Sequence, residues 1–277
     1  MNLVWAALIV VAVMAVAIGS MLLVRRRAPE GSYFADGDRA AGVFGVLATG
    51  LAVLLGFVVF LAFESLDTSR SGAKAEAKIV AEQFETAQLM PVAVRDRFSG
   101  ELVCYGRSVV HQEWPRMESG SLGDAYNPWG VTMFAATLKR TAPRSASEQA
   151  AYGKWLDQRT DREEARADRT HGAEGVIPDP LWIVLFVSAG IIFVFMLFFA
   201  DSAERTVVQA TMMGSVAIVI TSTLLLLWFL DHPYHRGLGA LQPVAMERTL
   251  QLLQPETGIA TGGFEIPCNS QGAARNP

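Results

Sequence analysis

The chain has 277 residues, 51% of them hydrophobic and 18% charged, with a formal net charge of -4 at pH 7. That length holds one or two domains, and a mildly acidic balance gives no general electrostatic case for nucleic-acid binding, which would favour a clustered basic face. The 50 charged residues are also absent from four long stretches, so the chain is expected to be a polytopic membrane protein.

The first charge-free stretch runs from Leu3 to Val24. It has no basic region ahead of it, exceeds the length of a signal-peptide core, and ends in Arg25-Arg26-Arg27 instead of small residues at a cleavage site. It is therefore expected to remain as a membrane anchor. The three arginines, with Arg39 in the same loop, predict that residues 25–41 face the cytoplasm.

The second stretch, Gly42 to Phe63, carries Gly45, Ala48, Ala52 and Gly56 at helical spacing, a pattern that lets helix backbones approach closely. Phe57, Phe60 and Phe63 cluster toward its end, either facing lipid or forming an apolar constriction that gates by dewetting. From Leu66 to Met90 there is no proline, and Ala73, Ala77, Val80, Phe84 and Ala87 recur at helical spacing, so a helix is expected to run out of the second span as far as Pro91. Another is expected from Val92 to Trp114, stopped by Pro115, and a shorter one ends near Arg140.

The last helix before the third span is expected from Ser145 to about Thr170. Arg159, Arg162, Arg166 and Arg169 fall on one of its faces, and Asp157, Asp161, Glu164 and Asp168 on the nearly opposite one. Three readings stay open: an arginine-lined vestibule that attracts anions, a charged interface with the acidic face of a neighbouring copy, or a solvated helix.

The third stretch, Leu181 to Ala200, is preceded by Asp179-Pro180, expected as N-cap and first helical residue. The fourth, Val207 to Leu230, places Thr211, Ser215 and Ser222 on one face, where hydroxyls either bond their own backbone or line a polar path. Alternation across four spans predicts that residues 64–179 and 231–277 lie outside the cytoplasmic membrane. Cys104 and Cys268 then share one side, either as a disulfide or as two separate thiols.

No nucleotide-binding, nucleophile-elbow, metalloprotease or paired-cysteine motif is present, so no enzymatic activity is expected. Asp231, His232 and His235 are too few, and too broken by Pro233, to make a metal site. No metal or cofactor is expected. No span contains an ionisable residue, which argues against proton-coupled transport and leaves a pore allowed.

Several segments in order resemble a bacterial membrane family described as bestrophin-like. They are Ala81-Glu82 through Leu89-Met90-Pro91, Tyr105 through Glu113-Trp114-Pro115-Arg116-Met117, Pro178 with Leu181-Trp182, and Leu230-Asp231 with Pro233-Tyr234. The most specific are Glu113, Trp114 and Pro115, and Asp231 with Pro233. The resemblance covers about residues 40–250. It implies two plus two spanning helices around a helical extramembrane part. By analogy with bestrophins it also implies an oligomeric anion channel, a pentamer among the forms suggested, with the helical part in the cytoplasm. The arginines predict the opposite orientation, and that orientation is adopted.

The expectation is thus an all-α membrane protein divided into 1–63 (first helix pair), 64–179 (helical extramembrane domain), 180–230 (second helix pair) and 231–277 (tail). Its expected partners are the lipid bilayer, further copies of itself and small anions. The alternative is a non-conducting membrane scaffold or interaction protein that uses the extramembrane helices.

Overall fold

The computed structural model describes residues 3–30, 33–120, 127–130, 143–237, 239–253 and 264–275; the short helix expected before Arg140 lies outside them. Regular structure among the described residues is helical, with one isolated antiparallel bridge between Cys268 and Ala274. The chain divides into two compact units: Met1–Ser65, Gly175–Asp231 and Arg236–Gly239 form the first, and Leu66–Glu174, His232–His235 and Ala240–Pro277 form the second.

In the first unit, α1 (Leu3–Arg25), the opening of α2 (Gly37–Ala87), α6 (Asp179–Phe198) and α7 (Thr206–Asp231) are each long and apolar enough to cross a membrane. Ala17 and Met21 of α1 are buried with Met213 and Ala217 of α7, small and flexible side chains that let these helices close on each other. Arg25 donates from Nε to the Asp201 carbonyl at 3.1 Å and from Nη2 to that of Ser202 at 3.1 Å, and also bonds the Thr206 hydroxyl. The two loops expected on one membrane face are therefore tied together. Phe34 stacks on Phe195 at 5.3 Å beside them.

At 51 residues and about 1.5 Å per residue, α2 is roughly 77 Å long, against about 30 Å of hydrocarbon. Its charged residues begin at Glu64, and from Leu66 onward it belongs to the second unit. α6 begins one residue earlier than expected: Pro178 is the N-cap and Asp179 the first helical residue. Asp179 makes no side-chain cap, but its carboxylate still favours the positive helix end.

The second unit adds α3 (Val92–Ser108), a wide π-helical turn (Val109–Glu113), α4 (Trp114–Glu118), α5 (Ala146–Thr170) and α8 (Val244–Leu252). Pro91 separates α2 from α3 as expected, whereas Pro115 does not end the helical path. The π turn precedes it, and Pro115 falls in the first turn of α4. α5 opens on Ser145, whose hydroxyl accepts the Glu148 N–H at 3.2 Å. Phe84, Phe98, Leu102, Tyr105, Trp114 and Trp155 form the core, with Phe98 and Trp155 stacked at 4.3 Å.

Gly72 sets the distance between α2 and α5. A Cβ there would stand 2.5 Å from the Arg169 nitrogen and 2.8 Å from the Ala165 carbonyl oxygen. Residues from Ala240 onward belong to this unit. Cys104 and Cys268 form a disulfide across 164 positions, Trp129 Nε1 donates to the Gly272 carbonyl at 2.7 Å, and Gly272 takes a positive φ of 77° hard against the Ser108 backbone.

Candidate functional site

The arginine stripe of α5 faces the core of the second unit. Arg162 and Arg169 are 0% exposed and share their face with Trp155 and Ala165, while Asp157, Asp161, Glu164 and Asp168 are all exposed. This corrects the interface and solvated-helix readings for both arginines. A side chain without accessible surface meets neither water nor a neighbouring copy. Arg159 and Arg166 are half-buried at the edge of the same face.

What makes the burial tolerable is a closed set of partners. Arg169 donates from Nε and Nη2 to both carboxylate oxygens of Glu76, and from Nη2 to Glu113 Oε2 at 2.5 Å. Tyr105 donates its hydroxyl to Glu76 Oε1 at 2.5 Å, and Asn127 Nδ2 donates to Glu113 Oε1 at 2.8 Å. Arg166 Nε lies 3.3 Å from Glu113 Oε2. The Tyr234 hydroxyl donates to the Arg169 carbonyl, and the Trp114 indole lies beneath the guanidinium at 5.7 Å.

Electrostatics follow from that packing. Burial raises the Glu113 pKa, but Arg169 and then Arg166 outweigh it and hold the carboxyl below its ordinary range. Burial likewise disfavours the Arg169 cation, and the Glu76 and Glu113 carboxylates reverse this. Desolvation pushes the Tyr105 phenol well above its ordinary value and that of Tyr234 up to about 12, so both remain hydrogen-bond donors.

Arg162 is placed differently. Its Nη1 donates to Gln83 Oε1 at 2.8 Å and its guanidinium lies 4.5 Å over the Tyr105 ring. Nε and Nη2 have no partner among the described residues. A cavity of about 270 Å³ is lined by Tyr105, Asn127, Gly130, Arg159, Glu163 and Arg166 together with Arg162.

The short motifs turn out to organise the fold. Glu113, Trp114 and Pro115 form the junction of the π turn with α4, with Glu113 in the buried cluster and Trp114 Nε1 donating to the Leu241 carbonyl at 3.2 Å. Asp231 Oδ1 accepts the backbone N–H groups of Val176 at 2.7 Å and Ile177 at 2.9 Å, fixing the approach to α6. Pro233 offers its carbonyl to the Leu241 N–H at 2.8 Å.

In the first unit, Gly45, Ala52 and Gly56 are exposed and Ala48 half-buried; nothing lies within 4 Å of a Cβ built at Gly45 or Gly56. Phe57 and Phe60 are each 61% exposed and Phe63 56%. Thr211 Oγ1 donates to the Val207 carbonyl at 2.8 Å and Ser215 Oγ to that of Thr211 at 2.8 Å, so these two hydroxyls bond their own helix; Ser222 is exposed.

Sequence reasoning missed Glu76, Gln83, Asn127 and Gly130 as members of the cluster. A signal for the first two was present: both fall within the stripe of Ala73, Ala77, Val80 and Phe84 expected to be buried, where a polar residue needs a partner. Asn127 and Gly130 follow a loop signal in the sequence, with no periodicity there to read.

Four helices of membrane-spanning length, joined to a helical unit with a buried ionic core, define an all-α integral membrane protein. Residues 11–245 match the Bestrophin-like domain model, and the chain belongs to that family. Among solved structures, a crystal structure of a membrane protein is 14% identical, covers 95% of this chain and 99% of its own, and superposes with a TM-score of 0.63. Two variants of a bacterial bestrophin homologue from Klebsiella pneumoniae are 13% identical with TM-scores of 0.61 and 0.60. They cover 93% and 92% of this chain and 100% and 98% of their own. At such identity the likeness is one of fold. No curated protein matches the chain.

Proposed function

We propose that the chain is one subunit of an oligomeric anion-permeable channel of a bacterial cytoplasmic membrane, with α2 as the wall of the conducting path. The observation that carries this reading is the uncovered face of α2. Gly45, Ala52 and Gly56 are exposed, among the described residues nothing lies within 4 Å of a Cβ built at Gly45 or Gly56, and at roughly 100° per residue Phe63 falls on the same line with Phe60 about 60° away. Small residues there let copies of α2 converge, and the phenylalanines at one end supply an apolar constriction. Phe57 lies about 120° round and is left to lipid. Thr211, Ser215 and Ser222 are not needed as a polar path.

Membership of the Bestrophin-like family supports the anion over the cation. Residues 64–179 and 231–277 are assigned to the outside of the membrane. Arg25, Arg26 and Arg27 support this, as does the Cys104–Cys268 bridge, since disulfides persist in oxidising compartments.

Purified protein in a planar bilayer under a sodium chloride gradient tests the reading. The current is expected to reverse near the chloride potential, and Phe60→Ala with Phe63→Ala is expected to raise conductance. A reversal near the sodium potential removes the anion assignment. An electrically silent protein with an intact oligomer leaves the scaffold reading.

A further inference from the structure

The geometry points to a binding site for one anionic phospholipid on α7. Its two acyl chains lie on either side of a ridge of Val207, Thr211 and Ser215, and its phosphate sits at the arginines beside the loop that precedes the helix.

The ridge comes from helix spacing. Val207, Thr211 and Ser215 stand four residues apart, all three are exposed, and two clefts of the first unit share them as a common wall. One cleft, of about 410 Å³, has Met14, Ile18 and Leu22 of α1 as its far wall. The other, of about 970 Å³, is bounded by Phe44 of α2 and by Met196 and Phe199 at the end of α6. A water takes about 30 Å³ of liquid and a methylene about as much, so the smaller cleft holds roughly a dozen carbons of a chain. The larger holds a whole chain with space to spare.

Length and polarity fit the same ligand. The smaller cleft follows α7 from Thr206 to Ile218, about 18 Å at helical rise, close to one leaflet of a hydrocarbon core about 30 Å thick. The ridge hydroxyls donate to their own helix, Thr211 to the Val207 carbonyl and Ser215 to that of Thr211, each at 2.8 Å. Neither proton needs water, so the ridge tolerates contact with hydrocarbon.

Charge at the mouth selects the headgroup. Both clefts begin at residues 201–206, and Arg25 is fastened to that loop through the Asp201 and Ser202 carbonyls. Arg26 and Arg27 follow it and Arg205 lies in the loop itself; all three are exposed and in no ion pair among the described residues. The two carboxylates on the rim turn to backbone: Asp201 accepts the Ala203 N–H at 2.8 Å and Glu204 that of Arg205 at 3.2 Å. Arginines at a membrane surface attract anionic lipid, and a guanidinium binds phosphate through paired, charge-assisted bonds. A spanning helix of a second copy could fill the clefts but would bring no anion, because no span contains an acidic residue.

The site rests on neither conduction nor the direction in which the chain is inserted. The test uses full-length protein in detergent, washed free of lipid and given dioleoyl phosphatidylglycerol and dioleoyl phosphatidylcholine at equal concentration. Native mass spectrometry counts the lipids retained per chain. One phosphatidylglycerol per chain is expected, saturable and preferred at least tenfold over phosphatidylcholine. Arg26→Gln with Arg27→Gln is expected to weaken phosphatidylglycerol roughly 30-fold, about fivefold for each arginine, and to leave phosphatidylcholine unchanged. Ser215→Trp, which puts an indole on the exposed ridge, is expected to weaken phosphatidylglycerol at least tenfold, with helical content measured by circular dichroism to show that the variant is folded.

Equal retention of the two lipids, graded uptake of many lipids without saturation, or no lipid retained by the unmodified protein overturns the assignment. So does phosphatidylglycerol undiminished in Ser215→Trp. An unmodified protein that holds no lipid, together with an oligomer that falls apart in Ser215→Trp, gives the ridge to a second copy instead.

Discussion

Replacing Arg169 with methionine removes the cation that two buried carboxylates share while keeping most of the side-chain volume. Arg169 and Glu76 are both 0% exposed and Glu113 3%, so neither carboxylate has water to fall back on. Breaking a buried ion pair from one side costs about 3–5 kcal/mol, a large part of the roughly 5–15 kcal/mol that holds a typical domain together. The sign of the pH dependence is also expected to change. In the unmodified protein the Glu113 pKa is held below its unfolded value of about 4.3, so its contribution is present above that pH and lost as pH falls through the folded value. Without Arg169, burial becomes the dominant effect on Glu113 and raises its folded pKa above the unfolded one. Stability then declines as pH rises from about 4.3 through that raised value. Thermal unfolding in mild detergent, followed by tryptophan fluorescence at pH 4.5 and pH 7.5, is expected to show a deficit that is larger at the higher pH. Glu76→Leu and Glu113→Leu added to Arg169→Met are expected to recover most of the loss, since a well-packed apolar trio replaces a buried ionic one at little cost. A midpoint for the single variant within about 0.5 kcal/mol of the unmodified protein at both pH values would falsify the keystone role.

Gly72→Ala is expected to force α2 and α5 apart and cost about 1–3 kcal/mol by overpacking, read as a lower thermal midpoint, whereas Gly153→Ala on the open face of α5 is expected to be harmless. Denaturing the protein without reductant is expected to expose no alkylatable thiol; reduction is expected to lower stability by about 2–5 kcal/mol and release the tail, seen as faster proteolysis between residues 253 and 268. A cysteine introduced by Ser147→Cys is expected to react with a membrane-impermeant reagent in intact cells and one from Glu30→Cys to resist it; the reverse pattern places the helical unit in the cytoplasm.

The four spans were legible because a bilayer reads composition locally. A run of apolar residues long enough for the hydrocarbon must satisfy its own backbone, and no distant residue changes that. Pro91 worked the same way, within one turn of the chain.

The arginine face shows where local reasoning stops. Spacing established that Arg159, Arg162, Arg166 and Arg169 share one side of α5, but which side is buried depends on residues far along the chain. Glu76 is 93 positions from Arg169, and Glu113 is 56. Alone, a stripe of arginines reads as a wet surface, because a guanidinium costs so much to bury that solvent is the default. Only the tertiary structure supplies the two carboxylates that reverse that balance. The disulfide is the same kind of fact: sequence put Cys104 and Cys268 on one side of a membrane, and the fold brought their Cα atoms to 5.7 Å. Secondary structure and membrane insertion here are settled by short-range periodicity and transfer free energy. The charge partners come from long-range packing, which spacing along a single helix does not encode.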